Sequence, residues 1–357
     1  MPPVAWGSHK SYTVAVRVLV TGGTGFVGGA VVRELSCRGH AVRVLARPQS
    51  DVALARAAGA EVVRAELSDG AGVRAAISGC QAVVHCAGRV ALGPGLEAEL
   101  RAANAEAVEA VLGEALRAGI GRAVLTSSTS VLGGSRTPAV LDERTAGDCE
   151  ALGIAYFNAK LEGERRALSL AARGLPLVVL RPSFVLGPGD VHGSSAATVV
   201  ALARRRIPGY VEGGASFCDV RDVARGHAEA LERGRTGEIY TLGGHNLTTT
   251  EMISRVCALA GAPVPRKMPY SAAMAIAAAE EITAGLQKRR PAITRDLVKA
   301  SALYTFASSD KARAELGYAI RPFDEMVADT LRWAMRAGRL PVDTDALRAL
   351  SADAPAA

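Results

Sequence analysis

A short β-branched run, Val16-Arg17-Val18-Leu19-Val20, leads directly into Thr21-Gly22-Gly23-Thr24-Gly25-Phe26-Val27-Gly28, and a helix-like segment from Phe26 to Cys37 follows. Gly22, Gly25 and Gly28 stand three apart at a strand-to-helix junction, and no other feature restricts the fold as much. The first glycine permits the tight turn, the second lets a pyrophosphate approach the backbone, and the third lets the helix pack close to the sheet. Phosphates would then meet free N–H groups and the positive end of the helix dipole. A tight turn with no ligand is the alternative reading. The motif gains force only inside an alternating chain.

This chain alternates. Strand-like runs occur at 41–46, 61–65, 82–86, 123–127 and 177–180, separated by helix-like segments near 51–58, 70–78, 96–118 and 149–172. Alternation of this kind predicts an α/β fold with a parallel, doubly wound sheet of the Rossmann type. The near-continuously apolar strands agree, since such a sheet is buried on both faces. Beyond Pro182 the alternation breaks into Gly-, Pro- and Ser-rich loops, with a strand at 238–242 and helices at 249–260, 272–286 and 323–336. We therefore expect a leader over 1–15, a dinucleotide-binding domain over 16–182 with 219–244 returning to it, a smaller, mostly helical substrate cap from 183–218 and 245–338, and a fraying tail over 339–357.

Bulk properties exclude several classes. The chain has 357 residues, a formal net charge of +7, and aromatics at only 4%. So few rings argue against a stacking platform for single-stranded nucleic acid. The densest basic runs, Arg204-Arg205-Arg206 and Lys288-Arg289-Arg290, read as solvated helix ends. The six cysteines form no C-x-x-C pair and the histidines no H-E-x-x-H, so no metal is expected. Dispersed thiols suit a reducing cytoplasm. The most apolar helix-like stretch, Ser271 to Ala279, is far shorter than the ~20 residues a bilayer requires. The first residues lack a secretory h-region.

Two further features carry chemistry. At the end of the second strand, where NAD sites usually place an acid for the ribose 2′-hydroxyl, stand Ala46 and Arg47. A guanidinium there can pair with a 2′-phosphate, which favours NADP(H), with NAD(H) retained if Arg47 only stacks on adenine. In the helix after the fifth strand, Tyr156 and Lys160 are four apart and so share a face. A neighbouring ammonium and an oxidised nicotinamide ring both favour phenolate, so a tyrosine pKa lowered toward neutrality is expected, suited to proton exchange with a carbonyl oxygen. The preceding strand ends in Thr126-Ser127-Ser128-Thr129-Ser130, hydroxyls at the carboxyl edge where ligands of such sheets lie.

The run Thr21–Gly28, the Ser128, Tyr156 and Lys160 set, and Arg181-Pro182 resemble the extended short-chain dehydrogenase/reductase superfamily, the NAD-dependent epimerase/dehydratase group. The segment Val42 to Asp51, Tyr240-Thr241-Leu242-Gly243-Gly244 and Ser308 to Pro322 resemble its dihydroflavonol-reductase-like, hopanoid-associated and 3β-hydroxysteroid-dehydrogenase-like branch. The resemblance implies Ser128 as catalytic serine, Tyr156 as acid/base, Lys160 as its partner and ribose ligand, and Asn104 supporting the lysine through water. It implies cofactor contacts from Gly22, Thr24, Gly25, Phe26, Val27, Gly28, Arg47, Leu67, Ala87, Gly88, Ser127, Pro182 and Ser183. Glu66 stands where the family commonly has an adenine-binding Asp; it, Asp69 or backbone groups would take that part.

The resemblance leaves three functions: an NADP(H)-linked ketone reductase or alcohol dehydrogenase, a nucleotide-sugar epimerase or dehydratase, and a non-catalytic dinucleotide sensor. Thr129 and Ser130 replace the Asp-Glu pair of the dehydratases, and Val131-Leu132-Gly133 replaces the Val-Tyr-Gly of the epimerases. The cap is poor in aromatics for gripping a base. Met268, Met274, Ile276 and Ile282 offer an apolar wall, or simply core. The expectation is thus a reductase of an apolar ketone, lipidic, steroid-like or polycyclic. The family's habit of pairing long helices makes a homodimer a further expectation.

Overall fold

A computed structural model describes residues 15–191, 193 and 195–352. The expected leader lies almost wholly outside the described residues. Seven parallel strands form the main sheet: β1 (Arg17–Thr21), β2 (Ala41–Ala46), β3 (Glu61–Arg64), β4 (Ala82–His85), β5 (Arg122–Thr126), β7 (Leu177–Pro182) and β11 (Ile239–Leu242), in the order β3-β2-β1-β4-β5-β7-β11. The order reverses at β1, so β1 and β4 are neighbours, with Thr21 beside His85 at their carboxyl ends. This is the doubly wound arrangement that the alternation predicts, with its switch point beside the glycine turn.

Both faces are covered. On one, α1 (Phe26–Cys37), α8 (Val220–Arg233) and α12 (Asp310–Leu316) bury Val18, Val20, Val44, Val84 and Tyr240. On the other, α3 (Gly70–Ile77), α5 (Ala107–Arg117) and α6 (Ala155–Ala172) bury Leu19, Val83, Leu125 and Val179. Alternate residues of one strand therefore serve opposite layers, which is why these strands read as unbroken apolar runs. The short α2 (Ala53–Ala57) edges the first layer. Helix α4 (Glu97–Arg101) runs through a π turn (Ala102–Glu106) into α5, so the single long helix expected at 96–118 contains a local widening.

A second sheet was not expected. β6 (Val140–Leu141), β8 (Phe184–Leu186), β10 (Gly214–Asp219), β12 (His245–Thr248) and β14 (Tyr304–Ala307) pair in the order β12-β10-β14-β6, with β8 also on β10. A two-stranded pair joins β9 (Gly209–Tyr210) to β13 (Arg266–Lys267). Around these pack α7 (Ala196–Ala203), α9 (Thr249–Ala260), α13 (Phe323–Arg336) and α14 (Asp345–Ala352), sharing a core with Phe217, Phe323 and Leu331. Helix α9 opens with a capping box between Thr248 and Glu251. α10 (Tyr270–Leu286) and α11 (Arg295–Ser301) form a separate layer around Ala273, Ala277 and Val298.

The expected fraying tail is different. Residues 339–352 are anchored at three points: Leu340 and Leu347 are buried, and Thr344 Oγ1 donates to the Ala260 carbonyl at 2.8 Å. The apolar spacing of Leu340 and Leu347 outweighs the Ala, Asp and Pro content that suggested fraying.

Candidate active site

The two turns at the switch point touch through their backbones. Gly22 has φ +70°, and a Cβ there would lie 2.6 Å from the Ala87 nitrogen. A Cβ on Gly28 would lie 2.2 Å from the Gly22 carbonyl oxygen. Only glycine allows both approaches. Helix α1 is preceded by Gly25 at its N-cap, with no side-chain cap and no acid in its first turn. Its leading N–H groups thus stay open to an anion, and the cradle fits a dinucleotide pyrophosphate. Thr24 and Val27 line the same turn half-buried, while Phe26 is buried in the core beneath it.

Next to the cradle, β4 ends at His85 and continues through Cys86, Ala87 and Gly88. The Ala87 N–H donates to Thr21 Oγ1 at 3.4 Å, and that hydroxyl pairs with His85 Nδ1 at 2.9 Å. A Cβ on Gly88 would lie 2.8 Å from Asn104 Oδ1 and 3.8 Å from Lys160 Nζ. Asn104 sits in the π turn, buried, its side chain clasping the Arg89 backbone: Oδ1 accepts from the N–H at 3.0 Å and Nδ2 donates to the carbonyl at 2.9 Å. π turns recur where a helix must present a side chain out of register.

Lys160 Nζ donates to the Thr126 carbonyl at 2.9 Å. Burial lowers its pKa to about 8, against the pull of Glu164. Tyr156 differs from what the ammonium alone predicts. Burial raises its pKa, and the hydroxyls of Ser128 and Ser130, which face the phenol, oppose that rise only in part. The lysine ammonium is held by the end of β5, so the sharing of a helix face does not translate into a lowered phenol. Ser128 begins a 3₁₀ turn (Thr129–Leu132), its Oγ accepting from the Ser130 N–H at 3.1 Å.

The other expected residues lie along the same carboxyl edge. Arg47 follows β2 with an exposed side chain. Sequence reasoning missed Arg64, whose Nη1 donates to the carbonyls of Arg47, Pro48 and Ser50 at 2.7–2.9 Å and so holds the turn that presents Arg47. Glu66 is exposed and Leu67 half-buried; Asp69 is engaged as the cap of α3, accepting from the Ala71 N–H. Ser127 is buried, and its Oγ donates to Glu164 Oε2 at 2.6 Å, which turns this hydroxyl inward. Pro182 closes β7, and Ser183 donates its N–H to the Leu242 carbonyl at 3.1 Å.

Two buried histidines also escaped the sequence reading. His227 Nδ1 faces the Val223 carbonyl at 2.8 Å and Nε2 faces Thr126 Oγ1 at 2.7 Å. A carbonyl only accepts, so the proton is on Nδ1 and the Thr126 hydroxyl donates to Nε2. Burial lowers His227 to about 4; burial and then Lys160 lower His85 to about 3. Among the described residues no three His, Cys, Asp or Glu side chains gather to hold a metal, and no helix is long and apolar enough to cross a membrane.

A parallel sheet with a phosphate cradle at its switch point, and a Ser-Tyr-Lys set at the neighbouring strand end, define an extended short-chain dehydrogenase/reductase. The chain belongs to the NAD dependent epimerase/dehydratase family, which it matches over residues 18–243. It is similar to "4-hydroxy-2-methyl-3-oxo-4-farnesyl-3,4-dihydroquinoline-1-oxide ketoreductase" of Stigmatella aurantiaca, 30% identical over 91% of this chain and 98% of that one. It is also similar to "Sterol demethylase protein B" of Methylococcus capsulatus, 29% identical over 91% and 100%. Among solved structures, gox2253 matches with a TM-score of 0.80 at 35% identity, over 91% of this chain and 99% of that one. The protein is an NAD(P)-dependent oxidoreductase.

Proposed function

We propose that the protein reduces a ketone on an apolar substrate, lipidic, steroid-like or polycyclic, with NADP(H) as its cofactor. The observation that carries this reading is the phenol of Tyr156, faced by Ser128 and Ser130, one helical turn from Lys160. Ser128 and Tyr156 bind the substrate oxygen. Tyr156 stays protonated at neutral pH and donates that proton as the oxygen gains charge. Lys160, mostly an ammonium at neutral pH, would hold the nicotinamide ribose, and Asn104, clasping the Arg89 backbone, fixes the turn at Gly88 beside it. The dinucleotide, when bound, supplies the hydride.

The exposed Arg47, on a turn clamped by Arg64, supports a 2′-phosphate contact, which a carboxylate at that place would repel. The substrate cap is the assembly of 183–218 and 245–338. The apolar character of the substrate is supported by that cap's Met- and Ala-rich layer and by the farnesyl and sterol compounds in the names of the two relatives. Six free cysteines support a cytoplasmic setting, and a homodimer through α5 and α6 completes the reading.

Tyr156→Phe tests the chemistry. NADPH binding is retained, and turnover with a panel of aliphatic, steroid and aromatic ketones falls by about 10²–10⁴-fold. A near-normal rate in the Phe variant would remove this tyrosine from the reaction. Comparing NADPH and NADH dissociation constants tests the cofactor, and equal or tighter NADH binding would overturn the assignment of Arg47. Release of a sugar nucleotide from the purified protein would favour epimerase chemistry instead.

A further inference from the structure

Helix α10 is apolar on both sides. Its inner face packs Ala273 and Ala277 against Val298 of α11. Its outer face, at helical spacing, carries Ala272, Ala275, Ile276, Ala279, Ile282 and Leu286. Ile276 is 49% exposed, Ile282 67% and Leu286 82%. No charge interrupts this face. The helix's acids, Glu280 and Glu281, stand at its flanks and are tied down, Glu280 to Arg289 and the Ala292 N–H, Glu281 to Arg295 and its N–H. The hydroxyl of Thr283 is turned onto the Ala279 carbonyl at 2.7 Å. A surface helix ordinarily turns a polar face to water; this one does not.

The surroundings are basic. Between Arg266 and Lys299 there are seven Lys and Arg and three acids. Cations lie beyond both ends of the helix, Arg266 and Lys267 before it, Lys288, Arg289 and Arg290 after it. Lys288 and Arg290 are exposed, with no ion-pair partner among the described residues. Pairing two copies of α10 about a two-fold axis would bring cation clusters together, in either direction. An anionic surface accepts both clusters at once.

The helix also stands close to the chemistry. Tyr156 shares an apolar cluster with Leu92, Leu303 and Ala300 of α11, and α11 in turn packs on α10. Thr294, which caps α11, donates to the Leu92 carbonyl at 3.2 Å.

We infer that α10 docks the protein on the surface of an anionic phospholipid bilayer, with Ile276, Ile282 and Leu286 entering the headgroup boundary and Lys288 and Arg290 meeting lipid phosphates. The helix has 17 residues and one face committed to α11, so it lies in the interface without crossing it. This goes beyond the reductase reading. It explains how an apolar substrate could enter from lipid, yet it is measured without turnover, so the two readings fail separately.

The test is co-sedimentation of the full chain with phosphatidylcholine vesicles, with and without about one-third phosphatidylglycerol. The protein sediments with the anionic vesicles and much less with the neutral ones. Salt near 1 M, where the screening length falls to ~3 Å, weakens binding. Ile282→Asp with Leu286→Asp lowers partitioning at least about tenfold at an unchanged melting temperature, since both side chains are already exposed; Lys288→Gln with Arg290→Gln removes the preference for anionic lipid. A wild-type protein left in the supernatant, or undiminished binding by the aspartate variant, would overturn the inference. So would conversion of a dimer to a monomer by that variant, which would mean that a second copy covers this face.

Discussion

Glu164 lies one turn beyond Lys160 on α6, with its side chain 3% exposed. Arg181 of β7, 9% exposed, reaches it with Nη2 on Oε1 and Nε on Oε2, and Ser127 donates to Oε2 from the end of β5. One carboxylate thus ties the helix that carries Tyr156 and Lys160 to two strands. Glu164→Ala leaves a buried guanidinium whose Nη1 already has no hydrogen-bond partner. Breaking a buried pair from one side costs about 3–5 kcal/mol. We expect about 4, because two charged hydrogen bonds and a hydroxyl partner are lost together. With a urea m-value of about 3 kcal/mol/M, that moves the unfolding midpoint down by about 1.3 M. Glu164→Leu with Arg181→Met removes both charges and should regain most of the loss, as replacing whole buried pairs often does. A midpoint shift worth less than about 1 kcal/mol in Glu164→Ala, or a double variant no better than the single, would refute the reasoning.

Two other outcomes follow from the geometry. Gly28→Ala places a Cβ 2.2 Å from the Gly22 oxygen; the turn must open, and NADPH affinity measured by fluorescence titration falls by about 10²-fold, with unchanged affinity counting against the cradle. His85 and His227 have folded pKa values below the unfolded value of about 6.5, so their stabilisation is complete above that pH and is lost as pH falls toward their folded values near 3 and 4. Each contributes up to about 1.4 kcal/mol per pH unit, and His227→Gln should flatten the stability profile between about pH 6 and 5 by that amount; an unchanged slope would show that His227 takes up its proton while folded.

What was legible in the chain followed from local pattern. Helices at 26–37, 249–260 and 323–336 begin and end where the sequence reading puts them, because apolar spacing runs through each and a positive-φ glycine, Gly39, Gly261 or Gly338, follows within two residues of its end. The five strands of the second sheet were not legible. They run two to six residues, and their pairing depends on partners far away in the chain, as Gly214 beside Thr248 and Tyr304. Gly214 itself has no strand propensity; its value is space, since a Cβ there would meet the Phe306 ring at 2.6 Å.

The site shows the same division at the level of single atoms. A spacing of four placed Tyr156 and Lys160 on one face of α6, and the pair does lie there. Spacing says nothing about where the ammonium ends or how deeply the phenol is buried, and burial dominates the phenol's shift. The carbonyl of Thr126 takes Nζ, while the phenol is buried, and the Ser128 and Ser130 hydroxyls offset that burial only in part. Arg64 is a parallel case. Its role is to hold three carbonyls of a turn fourteen to seventeen residues earlier, and no periodicity carries that information. Residue types and order identify the chemistry available; the strand ends, by offering particular carbonyls and hydroxyls, decide which proton each side chain keeps.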